Sequence, residues 1–219
     1  MIRATRKVQS KRRPRQLAME LPTWGGRRKG AGRKRCDGRT EKGASHLRRA
    51  AIDARLPLHV TLRVDTHVYN LRSERAWRHI APALEAGADR FGVRVVQFSV
   101  QGNHIHCLVE AADAASLARA MKGLSVRLAR RMNVLMGRRG RVMSERYHAR
   151  ALRTPTEVRN AMHYIRHNRR HHLGAEALPG TWVDPRSSEA GVLALPAAVT
   201  WLLRVGWTRA RGPDALLKT

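Results

Sequence analysis

The chain has 219 residues, 42% of them hydrophobic, enough to bury the core of one ordinary domain, so it is not a disordered polycation. Against 16 Asp+Glu stand 44 Lys+Arg, a formal net charge of +28. A surface that positive repels itself unless a polyanion offsets it, so nucleic acid is the expected partner; composition alone leaves a DNA enzyme and a structural RNA binder level. No apolar run approaches the ~18 residues of a spanning helix, and the N-terminus lacks a signal peptide's apolar stretch. Cys36 and Cys107 have no CxxC spacing, which argues against a zinc knuckle and fits a reduced, cytoplasmic and nucleoid-associated setting with no membrane partner.

Residues 1–55 read as a basic arm without a packed helix, because Gly25–Arg35 (GGRRKGAGRKR) combines glycine freedom with dense charge. Arg27, Arg28, Lys29, Arg33, Lys34 and Arg35 are its candidate DNA contacts, for bulk affinity rather than for sequence. A domain is expected over 56–173. It opens with an alternating strand, His59–Val64. Ser73 caps a helix carrying Ala76, Trp77, Ile80, Leu84 and Ala88 at helical spacing, closed by Gly92. Val93–Val100 and His104–Glu110 form two strands around the turn Gln101-Gly102-Asn103. Asp113 starts a second helix with Leu117, Met121, Leu124, Leu128 and Met132 on one stripe and Arg119, Lys122, Arg127, Arg130 and Arg131 opposite. Tyr147–Leu152 reads as another strand. Thr154-Pro155-Thr156-Glu157 is a capping box for a third long helix, with Val158, Ala161, Met162 and Ile165 as its buried stripe.

That order is the split βαβ, ferredoxin-like α+β pattern, an antiparallel sheet with one helix added at the C-terminal end. Helices on one face would leave the other face open to a ligand. The extension 174–219 is less basic and contains an apolar run, Val199–Trp207, read as a short helix docking on the domain or on a partner.

Two groups carry the chemistry. On the strand at His104, alternation sends Ile105, Cys107 and Val109 to the core and turns His104 and His106 to the open face, close enough to share a metal ion. With 11 histidines in the chain such a pair arises easily by chance, so the spacing alone is weak. On the third helix Tyr164 and Asn168 share a face that Asn160 and His171 or His172 extend, among Arg159, Arg166, Arg169 and Arg170. Nearby cations favour a phenolate and attract phosphate, whereas a partly buried tyrosine bonded to water is the plain alternative. Tyr147 and Tyr69 are rival nucleophiles, and His163 with His167 is a rival zinc pair at i, i+4 without a carboxylate or cysteine beside it. Asp53, Asp65 and Glu110 do not make a three-acid cluster.

The segment Gln101–Glu110 (QGNHIHCLVE), followed by Tyr164–Asn168 (YIRHN), resembles the HUH and tyrosine motifs of the single-tyrosine, IS200-like transposases. HVTLRV at His59, RRMN at Arg130 and RYHARAL at Arg146 add to the match, which is nearest the REP-associated branch and covers about Leu56–His172. Insertion-sequence members commonly carry glutamine four residues after the tyrosine; Asn168 stands there, as suits the REP-associated branch. The resemblance implies Tyr164 as nucleophile on single-stranded, hairpin-bearing DNA, and His104, His106 and Asn168 as ligands of Mg²⁺ or Mn²⁺. It further implies a 5′-phosphotyrosine intermediate, with Arg127, Arg130, Arg131, Arg166, Arg169 and Arg170 on the backbone phosphates. Monomer and homodimer both stay open. The alternatives are an HUH replication initiator or relaxase-like nickase, and a non-catalytic DNA- or RNA-binding relic of a transposase.

Overall fold

Three N-caps set the helices. Ser73 Oγ accepts from Ala76 N–H (3.2 Å) and Asp113 Oδ1 from Ser116 N–H (2.7 Å). Thr154 and Glu157 close the expected box, Oγ1 accepting from Glu157 N–H at 3.2 Å and Oε2 from Thr154 N–H at 3.3 Å. These caps start α1 (Glu74–Glu85), α2 (Ala114–Leu135) and α3 (Pro155–Leu173). The computed structural model describes residues 51–173, 178–179 and 181–210, with only the backbone of His171. The arm residues Arg27, Arg28, Lys29, Arg33, Lys34 and Arg35 lie outside the described residues.

The strands are β1 (Leu58–Arg63), β2 (Asp89–Arg90), β3 (Val93–Val100), β4 (His104–Ala111) and β5 (His148–Ala151). They form one antiparallel sheet in the order β2-β3-β4-β1-β5. Leaving aside β2, this is the ferredoxin-like arrangement that the element order predicts. β2 is a two-residue strand absent from the pattern, joined to β3 by a turn in which Phe91 (φ 58°) and Gly92 (φ 72°) are left-handed. Accordingly α1 ends at Glu85, before Gly92.

On one sheet face α1 and α2 bury Val60, Leu62, Phe98, Ile105, Cys107 and Val109 against Ile80, Leu117, Met121 and Leu124. The other face differs from the open surface expected. Val158, Ala161, Met162 and Ile165 of α3 close over Leu108, together with Leu202 and Leu203 of α4 (Trp201–Arg204). The part of this face left uncovered includes the sheet end where His104 and His106 stand and the edge strand β5, whose His148 and Arg150 are exposed.

Carboxylates fix the chain after α3. Glu110, 3% exposed, accepts from Thr200 N–H (2.7 Å) and Val199 N–H (2.9 Å) and pairs with Arg94 (3.2 Å), holding the start of α4 against β4. Asp184, 2% exposed, receives Arg72 through two nitrogens at 2.7 and 2.9 Å. Beside it, Val100 N–H donates to Arg186 O and Phe98 N–H to Ser188 Oγ. These bonds cover the edge of β3 that short β2 leaves unpaired.

Candidate active site

Register builds the site. β1 runs antiparallel to β4 with Thr61 opposite His106 and Arg63 opposite His104, so His59 and Thr61 share the face of the two histidines. His106 Nδ1 lies 3.1 Å from His59 Nε2 and 3.2 Å from Thr61 Oγ1. His104 Nδ1 is 2.7 Å from Asn103 Oδ1, an acceptor, so Nδ1–H donates and the Nε2 lone pair of His104 stays available. The His104 and His106 rings are 4.6 Å apart, edge to face.

Helix α3 brings Tyr164 to this cluster. Its hydroxyl is 3.4 Å from His106 Nε2, ring centroids 5.1 Å apart, and the His59 ring lies 6.0 Å away. Tyr164 is 41% exposed, open on its outer side to a substrate. An O–H donated to His106 Nε2 places that ring's proton on Nδ1, facing His59 and Thr61. His104 and His106 thus present the same nitrogen outward.

Burial keeps the imidazoles neutral. It lowers His106 to about 3, helped by neighbouring His104, His59 and His172, and lowers His59 to about 4, helped by His148 and Arg150. His104 is lowered too, first by burial and then by His172 and Arg63. Neutral imidazole is the form that binds a metal.

Asn168, one turn beyond Tyr164, is 1% exposed, and neither Oδ1 nor Nδ2 of its amide has a hydrogen-bond partner. A turn further, His172 is close enough to act electrostatically on His104 and His106, so Asn168 sits on the helix face between two residues that reach the histidines. A buried amide bonded to nothing costs about 1–3 kcal/mol per group, unusual unless something absent here satisfies it. Among the described residues no three His, Cys, Asp or Glu gather as a metal site. Two neutral imidazoles with one amide oxygen remain, a mixed nitrogen and oxygen set that fits Mn²⁺ and tolerates Mg²⁺.

Other candidates fall elsewhere. Arg127, Arg130 and Arg131 lie on α2, across the sheet from Tyr164. Arg166 pairs with Glu189 (3.5 Å) and Arg170 donates to Leu178 O (2.7 Å), so both anchor the chain after α3. Arg169 is half-buried and Asn160 exposed on the same helix. Tyr147 packs on the α2 side of β5, Tyr69 lies between β1 and α1, and the His163 and His167 rings meet at 4.3 Å. Sequence reading missed His59 and Thr61. The signal was present: alternation with buried Val60 and Leu62 puts both on the histidine face.

Residues 54–168, more than half of the chain, match the family described as "Transposase IS200 like". The chain belongs to the IS200-like transposases. A REP-associated tyrosine transposase solved with a REP hairpin has the same fold, at 16% identity and a TM-score of 0.52 over 67% of this chain and 84% of that one. A candidate transposase from Deinococcus radiodurans matches over 63% of this chain and 95% of its own, at 16% identity and a TM-score of 0.38. No curated protein matches this transposase in sequence. Among the described residues of the transposase, no helix is long and apolar enough to cross a membrane.

Proposed function

We propose that this transposase cleaves and rejoins single-stranded, hairpin-bearing DNA, with Tyr164 as the nucleophile. One observation carries the reading: the Tyr164 hydroxyl lies 3.4 Å from Nε2 of His106, whose ring meets that of His104, while the unpartnered amide of Asn168 lies buried on the same helix face. Tyr164 attacks a backbone phosphorus. The new bond joins its oxygen to phosphorus, the bond from phosphorus to the 3′ oxygen breaks, the phenol proton is lost and the departing 3′ oxygen is protonated. The phosphotyrosine ester keeps the bond energy, so reversal by another 3′-hydroxyl rejoins strands with no external energy source.

His104, His106 and Asn168 would hold Mg²⁺ or Mn²⁺, which when bound polarises the phosphoryl oxygens and offsets charge in the transition state. His59 and Thr61 fix the His106 ring through Nδ1 and keep its Nε2 directed at the site. The capping box and the apolar contacts to Leu202 and Leu203 hold α3, and with it Tyr164, over β4. Arg169 on the same helix, and the basic arm 1–55, supply phosphate contacts.

The test is covalent trapping. Protein and labelled hairpin-bearing strands are incubated with Mn²⁺ and run on a denaturing gel. A DNA-linked band is expected, lost with EDTA and in Tyr164→Phe. Tight binding with no band for any hairpin would leave a non-catalytic binder.

A further inference from the structure

Cleavage at Tyr164 needs a proton for the departing 3′ oxygen, because an alkoxide is too basic to leave unaided. Register sets a row of side chains across the sheet face where that oxygen leaves. His106 of β4 stands opposite Thr61 of β1, and Thr61 stands opposite His148 of β5. Directly opposed residues share a face, so His148 belongs to the histidine side, while Ala149 and Ala151 pack on the α1–α2 core. At about 4.8 Å per strand, its Cα lies about 10 Å from that of His106, leaving room for a phosphodiester between the two rings. His148 is exposed, on the edge strand of the sheet.

We infer that His148 is the general acid that protonates the departing 3′ oxygen, and the general base for the 3′-hydroxyl in rejoining; the assignment rests on the Tyr164 reading above. As the bond from phosphorus to the 3′ oxygen breaks, the imidazolium gives that oxygen a proton and becomes neutral, and the phenolic proton passes to solvent. In rejoining, the neutral ring takes the proton of the attacking 3′-hydroxyl. Imidazole suits both directions because it changes charge near neutral pH. In-line displacement puts the leaving oxygen across phosphorus from the attacking one. Helix α3 carries Tyr164 from over Val96 of β3 and Leu108 of β4, whereas His148 stands beyond β1, on the opposite side of His106.

The other groups on this face are unsuited. Burial lowers His106 to about 3 and His59 to about 4, so both rings are neutral at neutral pH. His104 Nδ1–H donates to Asn103, and its Nε2 is the nitrogen left for a metal. Arg63, opposite His104, and Arg150, paired with Glu157, hold their protons too tightly to give them up. His172 acts on His104 and His106 from α3, the helix of the nucleophile itself.

The experiment follows covalent-complex formation by the full-length chain with Mn²⁺ on two hairpin-bearing DNAs. One is normal; the other has sulfur in place of the bridging 3′ oxygen at the position that wild type cleaves. A thiol ionises near about 8.5 and water only near about 15.7, so a thiolate leaves without a proton. His148→Ala and His148→Gln, at an exposed position and with folding checked by melting, are expected to lose about 100-fold in rate on normal DNA. On the sulfur DNA both should match wild type. Equal losses on the two DNAs, no loss on either, or rescue by sulfur in His172→Ala instead would overturn the assignment and leave the Tyr164 mechanism standing. Absence of a covalent complex from wild type on both DNAs would overturn the Tyr164 mechanism, and the acid with it.

Discussion

Replacing Asn168 by leucine should stabilise the metal-free protein. The side chain is 1% exposed and both polar atoms of its amide lack a partner. Each such group costs about 1–3 kcal/mol, so removing two recovers about 2–6 kcal/mol. A branched chain in a slot shaped for a planar amide returns up to about 1.5 kcal/mol of that. The expected net gain of about 2 kcal/mol raises the melting temperature by about 4–8 °C for a domain of this size. The assay is thermal melting of wild type and Asn168→Leu in EDTA and in Mn²⁺. Wild type should rise with Mn²⁺, by about 2.7 kcal/mol at a hundred times the dissociation constant, and the variant far less. A variant that melts below wild type in EDTA would show that the amide has a structural partner. Equal Mn²⁺ shifts in both proteins would remove Asn168 from the ligand set.

Acid should weaken the metal-free fold through the buried histidines. The unfolded chain protonates near 6.5, whereas folded His106 resists to about 3 and His59 to about 4. Their contribution is therefore complete above 6.5 and is lost as pH falls, by about 1.4 kcal/mol per unit for each histidine. Unfolding free energies from urea titration in EDTA at about pH 7.5 and pH 5 should differ by about 4 kcal/mol, about 2 from each histidine, and His106→Gln should halve the difference; a flat profile in wild type would contradict the burial argument. Asp184→Ala strands Arg72, whose side chain is 12% exposed, and should cost about 3–5 kcal/mol in the same titration; a change below about 1 kcal/mol would mean that the pair contributes little to the chain's attachment at β3.

Local signals made much of this fold legible. Ser73, Asp113 and the Thr154–Glu157 box act within four residues of chain, and each bond they imply is formed. Alternation alone places His104 and His106 on one face, because period-two geometry is a property of a single strand. What depended on pairing stayed hidden. His59 reaches His106 across 47 residues of sequence, through a register that neither strand specifies by itself. The pairing of Arg72 with Asp184 spans 112 residues and has no local mark. The α2 arginines show the converse: helical spacing gives them a common face, but only the packing of α2 tells which side of the sheet it is, and it is the side away from Tyr164.

The most direct measurement is peptide mapping of the protein after reaction with hairpin-bearing single strands and Mn²⁺, followed by nuclease trimming and mass spectrometry. The account predicts one modified peptide, carrying a nucleotide through its 5′ phosphate on Tyr164. A nucleotide on Tyr147 or Tyr69, or cleaved DNA with no modified tyrosine, would contradict it.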